Sequence, residues 1–390
     1  MRIMRRIGRI LYTFAAAGLL MTGLSSCGAA AAAGGAGEAQ AAQGQEAQQE
    51  ATEEQEAAAK AAEEAAAKRK KDLEGANVRG DTVILSEHHP WLFFCGNDGQ
   101  PLETYQRTNL FSEEDLARVG ENLHNLAQDL DSVGTKFILF IPPMKEEVYS
   151  EWMPSSIPVE DNEGRSMQLV NYMREHFPEI PVVYPLEEEL AAREHYGEQS
   201  LYYEGDCHWN EIGSHVGMEA LLSAVGELTG HPYEPQYKTF TVGEDRIAGD
   251  LQMLVELGDE YLSTTYVPEE MTPYEITVQT AKTEEEFAQM VAAGQNPDIP
   301  VRKFLMVKEF AKNPEARMPV RTFITGDSFM LGMVPYVFDA FPETEAYSRY
   351  YLDMDAVLEM KPEVFIYEIA ERYVSELDII PGYNTAALAE

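Results

Sequence analysis

Two short motifs set far apart carry the reactive side chains of this chain, Gly205-Asp206-Cys207-His208-Trp209-Asn210 and Gly326-Asp327-Ser328-Phe329. Together they supply a carboxylate, an imidazole and a hydroxyl, the three parts of an activated serine nucleophile. Asp206 and His208 are one residue apart, so in an extended segment both point to the same side. Asp206 then fixes the imidazole tautomer, and His208 Nε2 takes the Ser328 proton. Structural roles compete for the same residues. Asp206 can cap the helix that Asn210-Glu211 opens, Ser328 can cap its own helix, and His208 can be a satisfied core residue.

The elements that must position these groups read as α/β. Leu116, Val119, Leu123, Leu126, Leu130 and Val133 recur every three or four residues and predict a helix over 113–133, with Ser112 as cap and Asp115 three residues on. The apolar run 136–141 stops at Pro142-Pro143 and predicts a buried strand. Further strands are expected at 181–184, 320–325 and 364–369, and further helices at 166–177 and 212–228. Apolar strands alternating with amphipathic helices imply a three-layer domain with a mostly parallel central sheet. Ser328 then sits at the carboxyl end of a strand and the start of a helix, where such sheets place ligands and where helix N–H groups face a developing oxyanion. Residues 231–300 fit the alternation poorly and read as an insertion, with one helix at 283–293.

The ends and the charge bound where this chemistry takes place. Arg2, Arg5, Arg6 and Arg9 precede an apolar stretch from Ile10 to Leu24, and the first acid is Glu38. That pattern is a signal peptide, too short for a spanning helix. It ends in Leu24-Ser25-Ser26-Cys27, which resembles the bacterial lipoprotein box and implies cleavage before Cys27 with lipid on its sulfur. The lipid would hold the protein at the outer surface of the bacterial cell membrane without a spanning helix. Residues 27–76 carry almost nothing apolar larger than alanine and form a disordered or partly helical Ala-Glu-Gln spacer. The globular domain is expected over 77–390.

The chain has 29 basic and 67 acidic residues; losing residues 1–26 removes four arginines and no acid, moving the net charge from −38 to −42. That balance disfavours nucleic acid and anionic lipid as partners of the globular part, since an acidic polymer would need a local basic patch. Cys95 and Cys207 lie in a compartment that permits disulfides, but two cysteines are no framework and read as free thiols. His88-His89 lacks the spacing and further ligands of a metal site, and no phosphate-cradling loop is present.

Asp-x-His-Trp followed by Asn, with a distant Gly-Asp-Ser-Phe, resembles the alginate O-acetyltransferase group of SGNH-hydrolase-like proteins and the related family named for its Asp-His-His-Trp motif. Trp91-Leu92-Phe93-Phe94 with Asn97-Asp98-Gly99, Pro142-Pro143-Met144-Lys145 with Tyr149 and Pro154, Gly249-Asp250-Leu251, and Lys361-Pro362-Glu363-Val364 through Glu371-Arg372-Tyr373 follow in the family's order. Cys207 departs from it, standing where the family has a small hydroxyl residue.

The resemblance implies extracytoplasmic acetyl transfer to a cell-envelope or secreted polysaccharide through acetyl-Ser328. A membrane-bound O-acyltransferase would supply the acetyl group, and no soluble cofactor is expected. Alginate, itself polyanionic, suits this acidic chain poorly as acceptor. Lys145, Arg349, Tyr336 and Asp327 are candidates for contacting substrate or the oxyanion, and Tyr347 for contacting sugar. Glu371-Arg372 reads as a structural pair. Two other readings stay open: an esterase using the same three residues, and a noncatalytic glycan-binding or scaffold lipoprotein. A solute-binding lipoprotein would need two similar lobes, and no such duplication is visible.

Overall fold

The computed structural model describes residues 59–60, 63–279, 308–348 and 354–378. Twelve strands occur among the described residues. They are β1 (Val78–Arg79), β2 (Val83–Leu85), β3 (Leu92–Phe94), β4 (Lys136–Phe140), β5 (Val182–Val183), β6 (Phe240–Ile247), β7 (Ser263–Pro268), β8 (Glu275–Gln279), β9 (Lys308–Lys312), β10 (Thr322–Gly326), β11 (Glu343–Ser348) and β12 (Val364–Glu368). Seven form the central sheet in the order β5-β4-β12-β10-β11-β9-β8. From β5 to β11 the pairs are parallel; β9 and β8 extend the sheet antiparallel.

Five longer helices cover the sheet: α1 (Glu113–Ser132), α2 (Arg165–His176), α3 (Leu186–Tyr196), α4 (Glu211–Thr229) and α5 (Ser328–Ala340). Alternate side chains of each central strand enter different layers, as a period of two requires. Ile138, Phe140, Ile324 and Ile366 pack with α4 and α5 through Val216, Leu221, Met330 and Met333. Phe137, Leu139, Phe323 and Phe365 face the other way, onto Leu123, Leu126 and Leu130 of α1 and Leu169 of α2. Two separate apolar layers fix strand register, because a one-residue slip would exchange the faces.

The helix starts follow from local chemistry. Ser112 accepts from Asp115 N while Asp115 bonds back, a closed capping box for α1. Asn210 caps α4, its side-chain oxygen accepting from Ile212 N and Gly213 N. Asp206 is thereby free of the capping role.

The expected insertion at 231–300 is partly woven into the domain. β6 and β7 form a separate hairpin, but β8 joins the central sheet beside β9. Its alternation is antiparallel and edge-like, so it carries no continuous apolar run that would mark it as a strand of this sheet. The helix expected at 283–293 lies outside the described residues, as do the expected signal peptide and Cys27. No helix among the described residues is long and apolar enough to cross a membrane.

Candidate active site

Parallel strands β4, β12 and β10 end together at Phe140, Glu368 and Gly326. Ser328 begins α5 there, one residue beyond Asp327, whose carboxylate accepts from Phe329 N at 2.9 Å and from Ala370 N at 2.9 Å. Asp327 N in turn donates to Glu368 Oε2 at 2.7 Å. The turn is thus clamped to the end of the neighbouring strand. Gly326 is required by that approach, since a Cβ would overlap Glu368 Oε2. The close approach is what calls for glycine here, since Gly326 is not among the residues with positive φ.

The Asp206–His208 segment is a loop, not the expected extended stretch. A bridge between Tyr202 and Trp209 pinches its base. Asp206 Oδ1 accepts both His208 N, at 2.9 Å, and His208 Nδ1, at 2.6 Å. A short side-chain-to-backbone turn therefore brings the pair together where strand alternation was expected to. His208 Nε2 lies 2.7 Å from Ser328 Oγ. Trp209 Nε1 donates to Phe329 O at 3.0 Å, tying the loop to α5. A Cβ at Gly332 would press on that indole nitrogen.

The structure adds a carboxylate that the sequence reading did not place in the site, Asp250. It opens a short helix, Asp250–Leu254. Asp250 N donates to Asp206 Oδ2 at 2.8 Å, filling the oxygen that His208 leaves. Its carboxylate accepts Cys207 N at 2.9 Å and the Cys207 thiol at 2.9 Å, and stands 3.8 Å from His208 Nδ1. Gly249 allows this contact, since a Cβ there would overlap Gly205 O. The sequence signal was Gly249-Asp250-Leu251 itself. Its spatial role was hidden because the contact spans more than forty residues and depends on backbone proximity.

Burial disfavours charge on His208, the Cys207 sulfur and the Asp206 carboxylate favour it, and the balance lies well above the usual imidazole value. Burial would raise Asp206, but His208 and the backbone N–H groups hold it below the usual carboxylate range. Asp250 is pushed up to about 6 by burial and by Asp206, and the Cys207 thiol up to about 11 by burial and Asp250. An ionised Asp206 beside an imidazole in hydrogen-bond reach of a hydroxyl is an arrangement that can accept a proton from Ser328.

The remaining expected site residues are corrected or lie elsewhere. Lys145 is not open to solvent. It is buried, and its ammonium donates to the carbonyls of Leu92, Tyr203, Glu204 and Asp206 at 2.8–3.0 Å. The rings of Trp91 and Phe93 lie 4.5 and 5.3 Å from Lys145 Nζ. Burial draws its pKa down to about 8. Lys145 therefore holds the Asp206 loop from behind.

Tyr336 is buried and donates to Glu211 O at 2.7 Å. Tyr347 is also buried, against Phe323 and Phe310. Asp327 has both carboxylate oxygens on backbone N–H groups. Arg349 lies outside the described residues. Glu371 and Arg372 do not pair with each other. Glu371 accepts Met144 N and the Tyr184 hydroxyl, while Arg372 Nη1 reaches Cys207 Sγ at 3.8 Å. Cys95 and Cys207 are both free and buried.

The chain matches the family described as SGNH hydrolase-like domain, acetyltransferase AlgX, over residues 83–301. That span, more than half the chain, includes Asp206, His208 and Asp250 and ends before Ser328. The fold is similar to Bacillus cereus PatB1 with a sulfonyl adduct, at 16% identity and TM-score 0.54, covering 78% of this chain and 99% of that one. It is also similar to a DHHW family protein from Eubacterium siraeum, at 15% identity and TM-score 0.51, covering 78% of this chain and 96% of that one. No curated protein sequence matches. The architecture is accordingly an SGNH-like α/β fold, with the resemblance carried by the two motifs confirmed at the level of family and fold.

Proposed function

The chain belongs to the AlgX family of SGNH hydrolase-like acetyltransferase domains, and from that premise we propose that it moves an acetyl group, through acetyl-Ser328, onto a hydroxyl of a cell-envelope or secreted polysaccharide. Membership supports acyl-transfer or hydrolase chemistry and polysaccharide O-acetylation in general. The observation that supports the serine mechanism is the continuous chain Ser328 Oγ–His208 Nε2 at 2.7 Å and His208 Nδ1–Asp206 Oδ1 at 2.6 Å.

Ser328 Oγ attacks the donor carbonyl as its proton passes to His208 Nε2, with Asp206 favouring the imidazolium. The tetrahedral oxyanion forms beside the N-terminus of α5, where first-turn N–H groups have no intrahelical acceptor, Phe329 N being the one already held by Asp327. Collapse expels the donor's leaving group, which takes the proton, and leaves acetyl-Ser328. A sugar hydroxyl then gives its proton to His208 and attacks the ester. A second collapse returns the proton to Ser328 and releases the acetylated sugar. Splitting the transfer in two replaces one difficult step with two easier ones.

The donor in this reading is a membrane-bound O-acyltransferase, and the chain is held at the outer face of the bacterial cell membrane by lipid on Cys27. Residues 27–76 give the domain of 77–390 its reach. An acidic domain suits a neutral or cationic glycan better than an acidic one.

Water can replace the sugar, which would make the protein a deacetylase with the same three residues. Supplying an acetyl ester together with short glycan acceptors separates the two. Acetyl recovered on sugar faster than as free acetate supports transfer, and acetate alone supports the esterase. No turnover by the folded protein, or equal turnover by Ser328→Ala, overturns both and favours a glycan-binding or scaffold role.

A further inference from the structure

We propose that Cys207, His208 and Asp250 form a binding site for a thiophilic divalent cation, Zn²⁺ being the best match, and that occupying it switches off the Ser328 relay. The switching half rests on the serine mechanism above. The cation site rests on geometry alone.

The sequence pattern gave no metal site, because the donors come from two distant segments. In the fold, ligand atoms of Asp206, Cys207, His208 and Asp250 all lie within 4.8 Å of one another. Cys207 Sγ is 3.5 Å from His208 Nδ1 and 2.9 Å from Asp250 Oδ2, and the latter two are 3.8 Å apart. Bond lengths of about 2.0–2.3 Å to sulfur, nitrogen and oxygen give tetrahedral ligand–ligand edges of roughly 3.4–3.6 Å. Two of the three edges are already close to that. The short one is the thiol-to-carboxylate hydrogen bond, which opens when a cation replaces the proton.

The donor set of one thiolate, one imidazole and carboxylate suits zinc, not magnesium or calcium. Asp250 is the most exposed of the four side chains, at 26%, and gives the cation its way in. Asp206 Oδ1, hydrogen-bonded to His208 Nδ1 at 2.6 Å, can become the fourth ligand once a cation on Nδ1 displaces that proton and the pair opens. Arg372 Nη1, 3.8 Å from Cys207 Sγ, supplies an outer-shell donor to a bound thiolate.

Binding and catalysis exclude each other because both need His208 Nδ1. In the relay Nδ1 carries a proton to Asp206 and Nε2 accepts from Ser328. A cation on Nδ1 displaces that proton to Nε2, which then donates to Ser328 Oγ and can no longer take its proton. Cys207 releases its thiol proton to solvent, and nothing is oxidised or reduced. A small hydroxyl residue at 207 would offer no such ligand.

The test is titration of the full chain with Co²⁺, followed by Zn²⁺ competition, beside acetyl-ester hydrolysis with and without Zn²⁺. The expected result is one equivalent of Co²⁺ with a thiolate-to-cobalt charge-transfer band, displaced by Zn²⁺. The band persists in Cys95→Ala and is lost in Cys207→Ala and Asp250→Ala. Hydrolysis by the unmodified chain falls roughly 10²-fold or more at saturating zinc, the contribution of a general base, and returns on chelation. Each variant is scored by its own ratio of rates with and without zinc, and in Cys207→Ala that ratio approaches one. No charge-transfer band, or one surviving in Cys207→Ala, overturns the site. A band at Cys207 with zinc-insensitive hydrolysis overturns the switch. If no hydrolysis occurs in any sample, the cobalt band still decides the site, while the serine mechanism is what has failed.

Discussion

At the scale of single residues, the account turns on what surrounds one imidazole. Burial works against charge on His208, yet its neighbours hold the proton above the usual imidazole value. As a base it works deprotonated, so ester hydrolysis is expected to rise with pH through a midpoint above about 6.5. Asp206→Asn removes a charge that favours imidazolium. It should lower that midpoint and cut turnover by roughly 10²–10⁴-fold. A pH–rate profile of both proteins checks this, and an unshifted midpoint would contradict the assigned pairing. The residue types and their order were legible in the sequence, since serine, histidine and aspartate stand in recognisable local motifs. Asp250 was not, because nothing local distinguishes a carboxylate at a helix start from a cap until the Gly249–Gly205 contact is seen. Lys145 was misread for a related reason. A lysine is usually solvated, and only the fold reveals four carbonyls converging on this one.

At the scale of elements, the site is a junction of a strand end, a loop and two helix starts, each held by close backbone approach. Gly326→Ala would drive a methyl group into Glu368 Oε2, and Gly249→Ala would drive one into Gly205 O. Each is expected to destabilise the domain by about 1–3 kcal/mol, read from denaturant midpoints. Gly134→Ala has no neighbour to meet and tests only its own left-handed backbone, at φ 86°. It should leave the geometry at Ser328 intact. Lys145→Met removes a donor from four carbonyls, three of them in fully buried bonds, and should cost about 3 kcal/mol or more, together with activity, while touching no reacting atom. Helices α1, α2 and α4 and strands β4, β10 and β12 were legible because burial on one or both faces imposes a period on their residues. Strands β8 and β9 were not. They pair antiparallel at the sheet edge, where neither face demands a continuous apolar run.

At the scale of the molecule, a strongly acidic chain keeps several carboxyl groups inside. Glu146 is buried, accepts Phe94 N at 3.1 Å, and is pushed up to about 7 by that burial. Unfolded, it releases its proton near 4.5. Between those values the unfolded chain has lost a proton that the folded chain keeps, so rising pH favours unfolding. The domain should therefore lose stability from about pH 4.5 to about pH 7. Glu146→Gln, which keeps the acceptor for Phe94 N, should flatten that slope in melting curves. An equal slope in the variant would place the effect elsewhere.

The most direct measurement is the intact mass of the protein after brief exposure to a chromogenic acetyl ester, with the adduct located by peptide mapping. The account predicts one acetyl group on Ser328, absent in Ser328→Ala and much slower to appear in His208→Ala. It also predicts that a glycan acceptor discharges that group faster than water does. An acetyl group that maps to another residue, or the same adduct yield in Ser328→Ala, would contradict the mechanism.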